Sequence, residues 1–479
     1  MKKRFKRTSN LIIGLTAIFS AALISSCGTS SSSDEITIHF WHTFGQDIQQ
    51  SVTSKINAFE DLIYKNEGVK VSISLDYQGG YDDIKTKVLR GFSSGDTPTI
   101  AVAYPDHVAE YLSNESYDEE YVVNLDNLIN DSEVGFSSES YLNPDGYGID
   151  DFVPSFLEEG QSYLKSGTYS LPLMKSTEVM FYDEDNVNKL IGAYDSTIYN
   201  KAEFMQTLTW DKFMDLLKFA KTNLTNYGSN LQVPLIYDSD SNLFITDSYQ
   251  NNYDYLSVKN DKSSCDFNNN NSKAMVQKLK EYYDQGLFIT KGTNNNEYGS
   301  NKFVASECLF SIGSSGGAGY NDPGSASFNV GICKVPSFNK DNSYYVSQGP
   351  TLTLLNSHGV NTETNALRVK YAWKFLKYLT NTDSSASICL DSNGYIPVRE
   401  SSFKTEEYQA YLKEDDFLPR CANVVYNDIN GKYLNYPVFK GSATVRDEVG
   451  GIITQVFLGK KTLEKAFTDA YNNSLIAMN

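Results

Sequence analysis

The sequence predicts an α/β fold built on a mostly parallel sheet. Residues 36–104 alternate strand, helix, strand, helix, strand. Along that stretch the apolar spacing switches between two residues and three to four, the periods of a strand and a helix. Further helices and short strands follow to the end of the chain, with no internal repeat.

Ile36-Thr37-Ile38-His39-Phe40-Trp41-His42 alternates and is rich in aromatic and β-branched residues, which makes it the first strand. Ile48, Val52, Ile56, Phe59 and Ile63 put a helix over 47–66. Val69 to Tyr77 is the second strand, Tyr81 to Phe92 a helix, and Ile100 to Tyr104 the third strand. In such sheets ligands lie beyond the carboxyl ends of the strands. Trp41-His42, Tyr81 and Tyr104-Asp106 fall at that edge. Residues 113–151 are acidic and polar and read as a surface elaboration. Their Asn143-Pro144-Asp145-Gly146 lacks the spacing and terminal Glu of a calcium loop.

Leu171 to Tyr182 is extended. Pro172 pushes Leu171 out of the helical region, and Val179, Phe181 and Tyr182 favour a strand. Lys175-Ser176-Thr177-Glu178 interrupts the apolar run. Local pattern alone reads this as an edge strand with a solvated face; a strand crossing between two lobes would instead turn these groups to a cleft. Thr209 is placed to cap a helix over Lys212 to Asn223. Residues 225–272, rich in Asn, Ser and Asp, read as a loop or insertion, and Ser272 to Gln285 as a helix ended by Gly286. Phe303 to Ile312 reads as one apolar segment running into Gly313-Ser314-Ser315-Gly316-Gly317, whose backbone N–H groups suit an anion or a sugar hydroxyl. Val330 to Pro336 is a strand, Ala366 to Leu379 a helix and Tyr395 to Val398 extended. Arg446 sits in a helical run ending near Leu458, and a last helix covers Leu463 to Leu475.

The amino terminus carries Lys2, Lys3, Arg4, Lys6 and Arg7, then an apolar run from Leu11 to Ile24 and Ser25-Ser26-Cys27. This is the pattern of a secretory signal, and a Cys at the cleavage point resembles the bacterial lipobox. Residues 1–27 are therefore expected to be a lipoprotein signal, with Cys27 the lipid attachment site, and 28–35 a flexible tether. The whole chain carries a net charge of −18. Without the five basic residues of the signal, 36 basic residues stand against 59 acidic ones, or −23. Such a surface repels nucleic acid. Cys265, Cys308, Cys333, Cys389 and Cys421 are widely spaced and show neither CxxC nor zinc spacing, so no metal site is expected.

Several short motifs, in order, carry a resemblance. They are Phe40-Trp41-His42; Tyr77-x-Gly-x-Tyr81; Gly91-Phe92-Ser93-Ser94-Gly95-Asp96-Thr97-Pro98; Leu171-Pro172 with Phe181-Tyr182-Asp183; Thr209-Trp210; and Asn393-Gly394-Tyr395-Ile396-Pro397-Val398. Over essentially the whole mature chain the sequence resembles the family 1 extracellular solute-binding proteins of bacterial ABC importers, and within them the sn-glycerol-3-phosphate-binding proteins. The resemblance implies a periplasmic-binding-protein type II-like fold: two lobes joined by crossing hinge strands, with a ligand cleft between them. Crossings are expected near residues 175, 348 and 395, giving a first lobe of 36–175 and 348–395 and a second of 176–347 and 396–479.

The same resemblance carries the ligand contacts onto Tyr81, Ser176, Ser314, Gly349, Tyr395 and Arg446. Where the family has a Glu after the third-strand Tyr, this chain has Pro105, with Asp106 next to it as the carboxylate for a diol. A phosphate monoester suits an Arg with neutral donors, here Arg446 with Ser176 and Ser314. Lys175 reads either as solvated or as a second phosphate charge; Trp41 and His42 read as sheet-edge packing. The implied function is capture of sn-glycerol-3-phosphate or a glycerophosphodiester by a monomeric lipoprotein, held extracytoplasmically on the outer face of the cell membrane, and its delivery to an ABC permease without catalysis, cofactor or metal. A neutral oligosaccharide such as maltodextrin is the alternative ligand. An adhesin or orphan receptor would use the same fold. A surface hydrolase, the alternative of another class, needs paired carboxylates or a nucleophile with its base, and the sequence offers no such constellation.

Overall fold

A computed structural model describes residues 35–479, apart from 116–119, 325–327, 339–341, 358–361 and 430–431. The signal and Cys27 lie outside the described residues. In chain order the strands are β1 (Ile36–His42), β2 (Val71–Tyr77), β3 (Ile100–Ala103), β4 (Leu171–Pro172), β5 (Glu178–Asp183), β6 (Val233–Tyr237), β7 (Leu256–Lys259), β8 (Lys262–Cys265), β9 (Phe288–Thr290), β10 (Cys308–Ser314), β11 (Val330–Lys334), β12 (Tyr345–Val346), β13 (Thr351–Leu354) and β14 (Tyr433–Leu434). Two five-stranded sheets result, one per lobe: β2-β1-β3-β13-β4 and β11-β5-β10-β6-β9.

In the first sheet β1 runs parallel to β2 and β3, and β13 is antiparallel to β3 and β4. Alternation along β1 turns Ile38 and Phe40 inward. Helix Gln46–Glu67 lays Val52, Ile56, Phe59 and Ile63 on the core and ends at Gly68, in the left-handed conformation at φ 70°. Phe375 of helix Thr362–Leu379 packs edge-on against Phe40 and Phe59, at ring distances of 6.1 and 5.1 Å. In the second sheet β6 is parallel to β9 and β10, while β5 is antiparallel to β10 and β11. Helix Asp240–Gln250 packs against helix Ser442–Phe457 on this lobe.

Between the sheets, three extended segments lie side by side. Lys175 exchanges both backbone hydrogen bonds with Ile396, at 3.0 and 2.8 Å. Ser176 does the same with Gln348, at 2.9 Å each way. The chain leaves the first sheet at Pro172, passes these bridges and enters the second as β5, which has neighbours on both sides. The edge-strand reading of Lys175-Ser176-Thr177-Glu178 is thereby corrected, since all four residues are buried. Their polar groups can be buried because each finds a partner. Thr177 Oγ1, for example, donates to the Val346 carbonyl at 2.9 Å. Past Ile396 the chain stays for a while against the first lobe. Arg399 donates to the Thr380 and Gly148 carbonyls, and helix Glu406–Tyr411 packs on helix Thr382–Leu390.

Three further expectations need correction. Residues 225–272 are not a loop: they contain β6, helix Asp240–Gln250 and the β7–β8 hairpin. Phe303 belongs to helix Gly299–Val304, and a turn separates it from β10. The 113–151 excursion buries Val134, Phe136 and Leu142 in the core. Thr209 does precede helix Trp210–Thr222, yet its side chain makes no capping hydrogen bond. The five cysteines are buried thiols. Among the described residues no helix is long and apolar enough to cross a membrane, and no cluster of His, Cys, Asp or Glu could hold a metal ion.

Candidate functional site

Two cavities share Tyr104 and Gln348 in their walls. The outer one, about 710 Å³, is lined by Ser176 and Glu178 from the crossing, Asp238 and Asn242 from the segment around β6, Ser314 and Gly316 after β10, and Tyr395. Lys291, Tyr298 and Tyr320 stand at its second-lobe side. The inner one, about 90 Å³, is lined by Asp106, Glu159, Ser347, Gly349, Asn435, Tyr436 and Arg446.

Of the residues singled out in the sequence, six line these cavities. Pro105 opens helix Pro105–Ser113 at its first position, where proline's fixed φ suits a helix start. That places Asp106 in the first turn, buried, beside the inner cavity. Ser314 Oγ donates to Ser176 Oγ at 3.1 Å and accepts from the Gly316 N–H at 3.2 Å. Gly349 adopts φ 116°, and a Cβ there would lie 2.4 Å from the Met174 carbonyl oxygen, so the crossing itself demands glycine. Tyr395 lies over Gly316, where a Cβ would meet its ring at 2.5 Å; burial pushes its phenol up to about 12. Tyr81 is the exception. It lines neither cavity but stacks on Tyr104, ring centroids 4.0 Å apart, and so backs the wall that both cavities share.

Arg446 projects from helix Ser442–Phe457 into the inner cavity. Nη1 donates to Tyr436 Oη at 3.1 Å and Nη2 donates to Asn242 Oδ1. Burial works against its charge, and Tyr436, Asp106, Tyr255 and Tyr104 outweigh it, so the guanidinium pKa is raised. Asn242 also donates through Nδ2 to Glu178 Oε1 at 2.8 Å, and Tyr237 Oη donates to Glu178 Oε2 at 2.6 Å. Burial pushes Glu178 up to about 7, against the pull of Tyr237, Asn242 and Arg446. Burial likewise raises Asp238 to about 6, opposed by the Gly299 N–H, 2.6 Å from its Oδ1, and by Lys291. The ammonium of Lys291 lies 3.6 Å from the centre of the Tyr298 ring, a cation–π contact.

Lys175 is neither solvated nor a spare phosphate charge: it is fully buried and ion-paired with Glu159. His42 is packing, as read. It is buried, held neutral by burial that lowers its pKa to about 4, and its Nδ1 accepts from the Phe44 N–H at 3.0 Å. In the sequence Glu178 stands out only as part of a polar run, and Asp238 and Asn242 lie in a segment that reads as a loop or insertion.

A sequence profile described as bacterial extracellular solute-binding protein matches residues 56–414. No curated protein matches by sequence. Among solved structures, the GacH receptor of Streptomyces glaucescens, solved unliganded and with acarbose, superimposes with a TM-score of 0.65 at 15% identity, covering 92% of this chain and 98% of that one. A cyclic alpha-maltosyl-1,6-maltose binding protein from Arthrobacter globiformis gives 0.66 at 15%, covering 93% and 99%. UgpB from Mycobacterium tuberculosis, in complex with glycerophosphocholine, gives 0.66 at 16%, covering 92% and 98%. At such identities these likenesses speak to the fold. The profile covers well over half of the chain, and with it the chain belongs to the bacterial extracellular solute-binding proteins, which bind small molecules and deliver them to ABC permeases.

Proposed function

We propose that this protein captures a polyhydroxylated, uncharged solute, a saccharide or oligosaccharide, in the cleft between its lobes and hands it to an ABC permease. The observation that supports this is the state of Arg446. Its guanidinium is engaged by Tyr436 and Asn242 and faces Asp106, with Glu178 one side chain further. A cation so balanced gains little from a phosphate, which would also meet Asp106 in the inner cavity or Asp238 in the outer one. Carboxylates, amides and tyrosines around one cavity suit hydroxyl groups and sugar faces instead.

Glycerol-3-phosphate or a glycerophosphodiester is the second reading. It is favoured by Ser176 and Ser314, the Gly316-Gly317 backbone and Lys291 in the outer cavity. In both readings the contacts are Asp106, Ser176, Ser314, Gly349, Tyr395 and Arg446, with Tyr81 acting through Tyr104. We draw the first lobe as 36–175 and 348–395 and the second as 176–347 and 396–479, with 399–411 lying against the first. Cys27 tethers the protein, as a monomer, to the outer face of the membrane through a lipid. Calorimetric titration of residues 35–479 with maltodextrins, glycerol-3-phosphate and glycerophosphocholine tests the ligand class. Heat with maltodextrins alone supports the saccharide reading, and heat with the phosphate esters alone replaces it by the second.

A further inference from the structure

The inner cavity gathers four of the buried polar atoms that have no hydrogen-bond partner among the described residues. Asp106 Oδ1, Ser347 Oγ, Gln348 Oε1 and Asn435 Oδ1 are cut off from solvent and have no hydrogen-bond partner, and all four side chains line this one cavity. Buried polar atoms are paired in the great majority of cases, so four at one small cavity point to a missing partner. Asp106 is only 7% exposed. The Asn435 amide is fixed: Nδ2 donates to the Ser155 carbonyl at 2.7 Å and to Glu158 Oε2 at 3.0 Å, which leaves Oδ1 as the open atom.

Three of the four atoms only accept, and Ser347 can do either. The missing group must therefore donate. Phosphate oxygens would meet the Asp106 carboxylate and the fixed Asn435 carbonyl. An ammonium could donate to all three acceptors but would sit beside Arg446, which lines the same cavity. A hydroxyl donates one hydrogen bond and accepts two, so it can serve Asp106, Gln348 or Asn435 while accepting from Arg446 or Ser347. The volume of about 90 Å³ is several times the roughly 10–15 Å³ that admits one water, so a short hydroxylated carbon unit can enter.

We infer that the inner cavity takes a hydroxymethyl or terminal diol end of the ligand, that Ser347, Gln348 and Asn435 are specificity-determining residues for it, and that a phosphate is excluded there. This rests on the reading of the cleft as the solute site. The test is calorimetry of residues 35–479 with maltotriose, glycerol-3-phosphate and glycerophosphocholine, on wild type, Gln348→Met and Ser347→Ala. Thermal unfolding of each variant serves as the folding control. Each variant should weaken whichever solute binds by about tenfold, since it removes a hydrogen-bonding group from the ligand. Inorganic phosphate should not compete. Ser347→Ala removes only a hydroxyl without a partner, so it serves should Gln348→Met fail to fold. If a solute binds and the folded variants bind it like wild type, or if inorganic phosphate competes, this inference falls and the solute-binding reading stands. If none of the three binds wild type, the choice of cleft falls and the inference with it.

Discussion

Two carboxylates, one half-buried in the first lobe and one fully buried in the second, are treated in opposite ways. Glu67, at the end of helix Gln46–Glu67, receives Tyr141 at 2.5 Å, Tyr371 at 2.9 Å and the Lys374 ammonium at 2.9 and 3.0 Å. Burial would raise its pKa, but those bonds outweigh burial and lower it. Beside it Lys377 is wholly buried and donates to Glu139 at 2.6 Å and to the Val134 and Gly135 carbonyls at 3.1 and 3.2 Å. Glu178, at the cleft, has only neutral donors and is raised to about 7. The first cluster satisfies its charges internally and so fastens the 131–143 excursion to helix Thr362–Leu379. The second leaves its charges incompletely matched, the condition of a site whose last partner comes from outside. Structural and functional burial of charge can thus be told apart by what remains unpaired.

The contrast can be broken most forcefully at Lys377. Lys377→Met should lower stability by about 3–5 kcal/mol, because it leaves Glu139 and three carbonyls short of a donor. Solute affinity of the folded fraction should be unchanged. Urea unfolding and calorimetry together read both quantities, and a variant as stable as wild type would show the cluster to be dispensable. Arg446→Ala should do the reverse, costing about 1.5–3 kcal/mol of binding, the range for a hydrogen bond from a charged donor to a ligand hydroxyl, and clearly less in unfolding free energy. Arg446→Lys should recover only part, since the planar fork holding Tyr436 and Asn242 is lost. Equal losses in stability and affinity would assign Arg446 to the first kind of burial.

The finest test is the pH dependence of Glu178. Its folded pKa of about 7 lies above the model-peptide value of 4.5, so the folded protein holds this proton more tightly. The stability that follows is complete below about pH 4.5 and is lost as pH rises through 7. Glu178→Gln should flatten the fall of unfolding free energy over that window by roughly 3 kcal/mol. Asp238 and Asp247, raised by burial to about 6 and about 8, contribute slopes of the same sign that remain in the variant. An unaltered slope would mean that Glu178 is ionised throughout.

How far the sequence reveals this molecule depends on whether a segment has a polar side facing water. β1 was read to the residue and helix Gln46–Glu67 nearly so, because each buries one face and solvates another. Helix Asp240–Gln250 was missed for the opposite reason. Asp240, Asn242, Thr246, Asp247, Ser248 and Gln250 are all buried, along with Leu243, Phe244 and Ile245, so no face of it stands out by polarity. Some of its polar groups are paired with distant residues, as when Asp240 accepts from Thr290 and Thr454 at 2.6 and 3.0 Å. The same holds for Lys175 to Glu178, which look solvated only until their partners at Glu159, Val346 and Asn242 are known. The motif residues Ser176, Ser314, Gly349, Tyr395 and Arg446, and Asp106 beside the departing Pro105, are brought to the two cavities. Gln348 is marked in the sequence only as an expected crossing, and Asn435 and Asp238 carry no local signal and are recognisable only from the cavities they share with those residues.

The buried thiols have a practical consequence. Cys265, Cys308, Cys333, Cys389 and Cys421 are all buried, and burial raises the pKa of four of them, Cys265, Cys308, Cys389 and Cys421. Since the thiolate is the reactive form, the folded domain is nearly silent to maleimides. Tyr64 and Tyr199, 58% and 90% exposed on the first and second lobes, are positions where introduced cysteines would be the reactive pair. Residues 35–479 thus come with a dark background for a pair of fluorophores, one on each lobe, and need no cysteine removed before the distance between them is followed.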